Sequence, residues 1–313
     1  MLRPFARRDA PRMFQLTEAN FPEEGALLRW RPGAFETVVD RVFRPDMRFL
    51  LWLMEKLRHP IVKAFALEVD QRLVGAALLS FTGPSGYISS VVVDAPYRGR
   101  GYATQIVRAC ESAAYRLGRR YAVLDVLRSN APARSLYLKL GYRPIRGQSY
   151  HVRDYDGPAP PEAPLPEGLR PFVRADAKRL VAVATSLQPA EVTEVLPPHA
   201  RQFSSIPIVA TGLKSETEAW VVDRGNGPEG FVRATVSAAT ESGHLTAPLF
   251  APGVTEDAAA AAVDVAVGWL RRRGVRRVVC EMPSYNTAGT AALARGGFHE
   301  ALPLDTYYHP LPS

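Results

Sequence analysis

An internal repeat is the feature that most constrains the fold of this 313-residue chain. The segment L-R-P-F-A-R-R-D-A at residues 2–10 returns as L-R-P-F-V-R-A-D-A at residues 169–177. A second match aligns without a gap: N-A-P-A-R-S-L-Y-L-K-L-G-Y at residues 130–142 and N-T-A-G-T-A-A-L-A-R-G-G-F at residues 286–298. Two copies of one unit are expected to fold alike, so the chain is expected to form two domains with the same fold.

The boundary between the copies is marked by composition. Residues 156–168 read D-G-P-A-P-P-E-A-P-L-P-E-G, with five prolines and no hydrophobic periodicity. Such a segment is typical of an extended, semi-rigid linker. We therefore expect one domain at residues 1–156, a linker at 157–168 and a second domain at 169–313.

Each copy mixes strands and helices, which predicts an α+β fold with a mixed central sheet flanked by helices. In the first copy the pattern is helical to about residue 60, and a hairpin and a further strand follow before the next helix. The predicted elements after that point are strands at 62–70, 73–81, 87–94 and 121–126, and helices beginning at Tyr102 and near Asn130.

The stretch V-V-V-D-A-P-Y-R-G-R-G-Y-A-T at residues 91–104 carries the clearest chemistry. A buried strand leads through a glycine-arginine loop into an amphipathic helix. The free N–H groups at such a helix start, together with the helix dipole, favour a bound phosphate. Gly99 and Gly101 allow the backbone a positive φ and a close approach to a ligand.

The second copy lacks this chemistry. It reads A-P-G-V-T-E-D-A at residues 251–258, so the arginines are missing and Glu256 and Asp257 would repel a phosphate. Leu293 stands at the position of Tyr137. The second copy is therefore predicted to be catalytically silent.

The charge of the chain narrows the classes of partner. The formal net charge of +8 suits nucleic acid, an acidic membrane surface or an anionic small molecule. The arginines form no basic stripe with interleaved aromatic residues, so we do not expect a nucleic-acid partner. We find no apolar run long enough for a membrane span, no signal-peptide core and no metal-ligand spacing, and we expect a cytoplasmic protein without a metal.

Both motifs point to one family. The pattern Arg98-x-x-Gly101-x-Ala103 resembles the R/Q-x-x-G-x-G/A signature of the GCN5-related N-acetyltransferases, the GNAT superfamily. The more specific segment N-x-x-A-x-x-L-Y-x-K-L-G-Y, residues 130–142, follows at the family's spacing. Residues 121–142 look most like the bacterial ribosomal-protein N-terminal acetyltransferases. The tandem layout is similar to mycothiol synthase, although there the C-terminal copy is the active one.

The resemblance implies that acetyl-CoA binds in a V-shaped opening between the strands at 87–94 and 121–126. Main-chain groups of Val91, Val92 and Val93 would pair with the pantetheine arm, and the Val93 N–H would polarise the thioester carbonyl. Tyr137 matches the general acid that protonates the leaving thiolate. The residues implied to contact the cofactor's pyrophosphate and neighbouring groups are Arg98, Gly99, Arg100, Gly101, Tyr102, Ala103, Thr104 and Asn130.

The sequence offers two candidates for the general base and two classes of amine acceptor. Asp125 lies where the N-terminal acetyltransferases place a glutamate, and Glu68 is a second candidate. The expected reaction is direct acetyl transfer to a primary amine, which belongs either to a protein N-terminus or to a small molecule of mycothiol-synthase or antibiotic type. A non-catalytic acyl-CoA-binding sensor is the alternative from another class. We expect a monomer with an internal pseudo-dimer, or a homodimer.

Overall fold

The computed structural model describes residues 1–31, 33–56, 62–203 and 215–312. The helical pattern predicted up to about residue 60 therefore extends beyond the described residues at 57–60. Within the described ranges, no helix has both the length and the apolar character that a membrane span requires.

The first copy contains six strands and six helices among its described residues. Its strands are β1 Leu2–Pro4, β2 Val62–Val69, β3 Arg72–Thr82, β4 Ser85–Val93, β5 Tyr121–Leu127 and β6 Arg143–Asp154. Its helices are α1 Ala10–Asn20, α2 Pro22–Leu28, α3 Ala34–Val42, α4 Pro45–Lys56, α5 Tyr102–Arg116 and α6 Ala131–Lys139.

The second copy repeats this order with fewer helices in the described part of its first half. Its strands are β7 Leu169–Pro171, β8 Ser215–Val222, β9 Gly230–Ser237, β10 Gly243–Phe250, β11 Arg277–Pro283 and β12 His299–Pro310. Its helices are α7 Ala177–Leu187, α8 Ala190–Val195, α9 Glu256–Arg272 and α10 Thr287–Arg295.

The two compact units differ from the two sequence copies in their last strands. The first unit comprises Met1–Gly25, Pro32–Ile145 and Leu304–Ser313, and the second comprises Ala26–Arg31 and Arg146–Pro303. β12 pairs antiparallel with β5 in the first unit, and β6 pairs antiparallel with β11 in the second. Each unit is thus completed by the final strand of the other copy, which the sequence boundaries at 156 and 169 do not indicate.

Each unit has the mixed sheet that the sequence predicts, so the expected fold class is confirmed. The strand order is β1-β2-β3-β4-β5-β12 in the first unit and β7-β8-β9-β10-β11-β6 in the second. In each sheet one neighbouring pair is parallel, β4 with β5 and β10 with β11, while the other neighbours are antiparallel. The long helices α5 and α9 pack on their sheets through buried aliphatic residues such as Ile106 and Val263.

The repeated L-R-P-F-x-R-x-D-A segment forms equivalent arginine–carboxylate pairs in both units. Arg3 donates to both oxygens of Asp9 at 2.7 Å and to Glu68 at 2.6 Å. Arg170 likewise donates to Asp176 and to Asp223, each at 2.8 Å. These bonds tie the first strand to the turn before the first helix and to the end of the next strand. Burying such carboxylates is tolerable because each is paired with an arginine.

The exchange of last strands predicts that two aromatic residues of the C-terminal copy stabilise different units. Tyr307 packs in the core of the first unit, and Phe298 packs in the core of the second. Truncating a buried aromatic residue to alanine typically costs about 3–5 kcal/mol. We expect Tyr307→Ala to increase hydrogen exchange in β4, α5 and β5, and Phe298→Ala to increase it in α9 and β11, as measured by peptide-resolved mass spectrometry. Equal loosening of both units by each variant would contradict the exchange.

Candidate active site

The site is built around a gap between two parallel strands. β4 and β5 pair from Ser85 with Tyr121 up to Ile88 with Leu124, and their register ends there. Both strands then continue, β4 to Val93 and β5 to Leu127. The strands therefore separate towards their carboxyl ends, the edge of an α/β-type sheet where ligands commonly bind.

A β-bulge bends β4 where the gap between β4 and β5 begins. The register between β3 and β4 shifts between Leu78 opposite Ser89 and Ala76 opposite Val92. Ser90 has φ +52°, a conformation that is uncommon for a residue with a side chain. Bulges of this kind bend a strand and redirect the residues after it. Ser90 was not predicted from the sequence, because no local pattern marks it.

Near the end of β4, the backbone groups of alternate residues face β3, and those of the residues between them face the gap. The Asp94 N–H donates to the Val74 carbonyl on β3 at 2.8 Å. Because backbone groups alternate in direction along a strand, the N–H of Val93 is directed away from β3 and towards the gap. The side chains alternate as well, since Val93 packs on the α5 side of the sheet and Val92 on the α1 side.

The glycine loop leads into a helix start that no side chain among the described residues caps. Gly99 has φ +75° and Gly101, the residue before α5, has φ +77°. An added Cβ would meet nothing within 4 Å at either position, so these glycines are required for backbone conformation and not for space. Tyr102, Ala103 and Thr104 form the first turn of α5 and carry amides that have no helical acceptor.

The two arginines of the loop have different environments. Arg98 donates through Nε to the Val93 carbonyl at 3.2 Å and through Nη2 to Asn20 Oδ1 at 2.8 Å. It therefore ties the end of β4 to the end of α1 as well as adding positive charge. The guanidinium of Arg100 lies over the ring of Tyr97, 5.4 Å from its centre.

Tyr137 on α6 lies in the core on the α5 side of the gap. Its side chain is almost fully buried, and its ring centre is 5.8 Å from that of Tyr142. Burial, with a smaller contribution from nearby Cys110, raises the pKa of Tyr137 to about 12. The phenol therefore keeps its proton at neutral pH and can act as a proton donor. Asn130 caps the same helix by accepting the Ala133 N–H at 3.2 Å.

Of the two candidate bases, Asp125 is the one that lies at the gap. It follows Leu124, the last paired residue of β5, and one of its carboxylate oxygens accepts a hydrogen bond from the Tyr87 hydroxyl. Its other oxygen is buried without a hydrogen-bond partner. Glu68 instead binds Arg3, just as Asp223 binds Arg170 in the second unit. This shared pairing favours a structural role for Glu68.

A pocket of about 260 Å³ lies on the α1 side of the gap. It is lined by the end of α1, the first turn of α2, the end of β5 and the β5–α6 turn: Asn20, Pro22, Glu23, Glu24, Leu127, Ser129 and Asn130. Only Asn130 was predicted from the sequence. Glu23 and Glu24 carry no distinguishing sequence signal, because glutamates in the first turn of a helix commonly complement the helix dipole.

The second unit has an equivalent gap between β10 and β11, but a side chain of the protein crosses it. β10 and β11 pair from Gly243 with Val278 to Leu245 with Cys280 and then separate. Asn286 caps α10 as Asn130 caps α6, but it also donates to the Pro248 carbonyl on β10 at 2.7 Å. This bond uses a backbone acceptor that lies at the position of Val91. The start of α9 is capped as well, by the Thr255 side chain on the Ala258 N–H.

Comparison with known proteins agrees with this architecture. Residues 25–142 match the model of the Acetyltransferase (GNAT) family. An uncharacterized N-acetyltransferase of Bacillus subtilis, YobR, is 32% identical over 97 residues, which are 31% of this chain and 39% of that protein. The chain thus matches well under half of this curated relative's length.

Two solved structures extend over the whole chain. A GCN5-related N-acetyltransferase from Sphaerobacter thermophilus superposes with a TM-score of 0.66 at 19% identity, covering 100% of this chain and 96% of that one. A tandem GNAT protein from the clavulanic acid biosynthesis pathway gives 0.65 at 17% identity, covering 100% and 99%. The gap and the uncapped glycine loop both lie within the segment that matches the GNAT family model. Residues 25–142 thus resemble the GNAT family, and the resemblance predicted from the sequence is confirmed.

The closed gap of the second unit yields a stability prediction. A Cβ at Gly289 would lie 2.6 Å from the Pro248 carbonyl oxygen, whereas one at Gly268 of α9 would meet only the end of the Arg272 side chain at 3.2 Å and Pro160 at 3.6 Å. We expect Gly289→Ala to destabilise the protein by about 1–3 kcal/mol in urea unfolding, because α10 must shift away from β10. Gly268→Ala is the control and should be neutral or stabilising. Equal stability of the two variants would show that α10 is not held tightly against β10.

Proposed function

We propose that the protein transfers an acetyl group from acetyl-CoA to a primary amine, and that the reaction takes place in the first unit. The observation that carries the proposal is the difference between the two gaps. Only the first combines an uncapped helix start, a glycine-arginine loop and a buried tyrosine, while Asn286 crosses the second. The match of residues 25–142 to the GNAT family model supports the acyl-transfer chemistry.

The donor would be held along the α5 side of the gap. The amides of residues 99–104 and the charges of Arg98 and Arg100 suit a pyrophosphate. The backbone edge at Val91 and the Val93 N–H, which β5 does not pair, suit a pantetheine arm that adds as an extended strand, as peptides do at exposed sheet edges. Acetyl-CoA supplies an activated thioester carbonyl, and the Val93 N–H is directed to donate to the oxygen of that carbonyl as it becomes negative.

The proposed proton donor and proton acceptor lie on opposite faces of the sheet. The amine nitrogen attacks the carbonyl carbon, the carbon–sulfur bond breaks, and the departing thiolate takes a proton from the Tyr137 hydroxyl on the α5 side. The proton lost by the amine goes to Asp125 on the opposite face, directly or through a water. Tyr87 orients Asp125 by donating to one of its oxygens. Asn130 would hold the start of α6, the helix that carries Tyr137.

The role of Tyr137 is tested by removing its hydroxyl alone. We expect Tyr137→Phe to bind coenzyme A normally and to lose about 10²-fold in turnover, because the leaving thiolate lacks a proton donor. Turnover is measured as thiol release from acetyl-CoA with aliphatic diamines and with short peptides as acceptors. Tyr142→Phe is the matched control, since the second copy has Phe298 at that position. Full activity in Tyr137→Phe would leave this tyrosine a core residue.

The donor site is tested by charge reversal on the loop. Calorimetry with coenzyme A should give one site per chain, and Arg100→Glu should weaken binding at least tenfold and reduce its dependence on salt. Arg98→Glu should also lower thermal stability, because Arg98 bonds to the Val93 carbonyl and to Asn20. Arg116→Glu, at the far end of the same helix, is the control for net charge. Two equivalent sites per chain would contradict the closed second gap.

The same experiments separate the alternatives. A non-catalytic acyl-CoA sensor would bind coenzyme A in one site and release no thiol with any amine. Acetylation of peptides but not of small amines would favour a protein-modifying enzyme, and the reverse would favour a small-molecule acetyltransferase.

A further inference from the structure

We propose that the pocket on the α1 side of the gap binds a compact, positively charged aliphatic amine, and that Glu24 is the residue that recognises its ammonium group. This inference rests on the proposed function, because it names the class of acceptor that would use the proposed site. It assigns a binding role to a residue that neither the sequence motifs nor the family resemblance identifies.

The lining of the pocket selects for positive charge. The described residues that line it include two carboxylates, Glu23 and Glu24, and no arginine or lysine. Asn20, Ser129 and Asn130 add neutral polar groups, and Pro22 and Leu127 add apolar surface. A second anion, such as a phosphate or carboxylate, would be repelled here, whereas an ammonium group on a short aliphatic chain matches both the charge and the apolar surface.

Of the two carboxylates that line the pocket, Glu24 is the one whose environment favours binding of a cation. One of its oxygens is buried and has no hydrogen-bond partner. Burial, with the neighbouring charge of Glu23, raises the pKa of Glu24 above its usual value. A hydrogen bond from the Glu24 backbone N–H compensates for only part of this burial, and no arginine or lysine pairs with the carboxylate among the described residues. An ammonium group in the pocket would therefore supply a favourable interaction for this carboxylate. Glu23, by contrast, is exposed to water.

The pocket lies on the face of the sheet that the chemistry requires. Leu127 lines the pocket, and Asp125 precedes it by two residues on β5. Alternate residues of a strand share a face and lie about 6.5 Å apart along it. Asp125 is therefore on the pocket side, while Ala122, Leu124 and Val126 pack on the α5 side with Tyr137. An amine held at the pocket would approach from the face opposite to the proton donor.

The volume of the pocket, about 260 Å³, is compatible with a short aliphatic amine. This accommodates the amine-bearing end of a molecule or a small diamine. Asn20 connects this wall to the donor loop, since its Oδ1 accepts from Arg98 and its Nδ2 donates to the Leu16 carbonyl at 2.7 Å.

The test uses 1,4-diaminobutane as the probe and 1,4-butanediol as its uncharged isostere, titrated into the full chain by calorimetry. We expect the diamine to bind and the diol not to bind. Glu24→Gln should weaken diamine binding at least tenfold, while Glu18→Gln, an exposed glutamate of α1 outside the pocket, should change it less than twofold. Coenzyme A affinity should be the same in wild type and both variants, which shows that Glu24→Gln is folded with an intact donor site.

The outcomes distinguish this inference from the proposed function. No binding of the diamine to the wild type, or equal binding in Glu24→Gln, overturns the inference. Binding that depends on Glu24 without thiol release from acetyl-CoA supports the pocket assignment and overturns the acetyl transfer. If amines are acetylated but Glu24→Gln leaves their KM unchanged, the enzyme assignment stands and Glu24 is not the recognition residue. A raised KM with little change in kcat in Glu24→Gln supports both.

Discussion

The structure of the first unit depends on the point where two parallel strands stop pairing. After Ile88 and Leu124, the backbone groups of β4 and β5 no longer satisfy each other. Unpaired backbone polar groups in a protein interior are costly, so a sheet that separates must supply other partners or leave the edge to a ligand. The bulge at Ser90, the turn that Arg98 holds and the capping of α6 by Asn130 all lie around this separation, and the proposed donor and acceptor sites lie on its two sides.

The two units show two solutions to the same problem. Their gaps start at equivalent positions, but the second fills its own with protein. Asn286 reaches the Pro248 carbonyl, which requires α10 to approach β10 so closely that only glycine fits at position 289. Thr255 caps α9, and Glu256 and Asp257 pair with Arg295. The gap that we propose as a ligand site in the first unit is thus crossed by a side chain of the protein in the second.

The exchanged strands give the C-terminal copy a direct part in the first unit. β12 covers the edge of β5, the strand that carries Asp125, with Thr306 opposite that aspartate. Asp305 pairs with Arg128 at 2.9 Å and Tyr307 packs in the core beside α6, so this strand supports the turn from β5 into α6. Because β12 pairs with β5, both copies of the repeat contribute to the sheet that carries the proposed site.

The sequence by itself determined the repeat, the α+β class, the family resemblance and the loop. These properties are local: the valine run, the positive-φ glycines at 99 and 101 and the Asn130 cap depend on residues a few positions apart, and the structure places each as the pattern predicts. Only the tertiary structure decided which copy's last strand completes which sheet, because β6 and β12 have equivalent patterns and either could pair with β5. The pocket at Glu24 and the hydrogen bond from Asn286 across the second gap likewise depend on residues far apart in the chain. Their effect comes from burial and distance, which no local sequence pattern encodes.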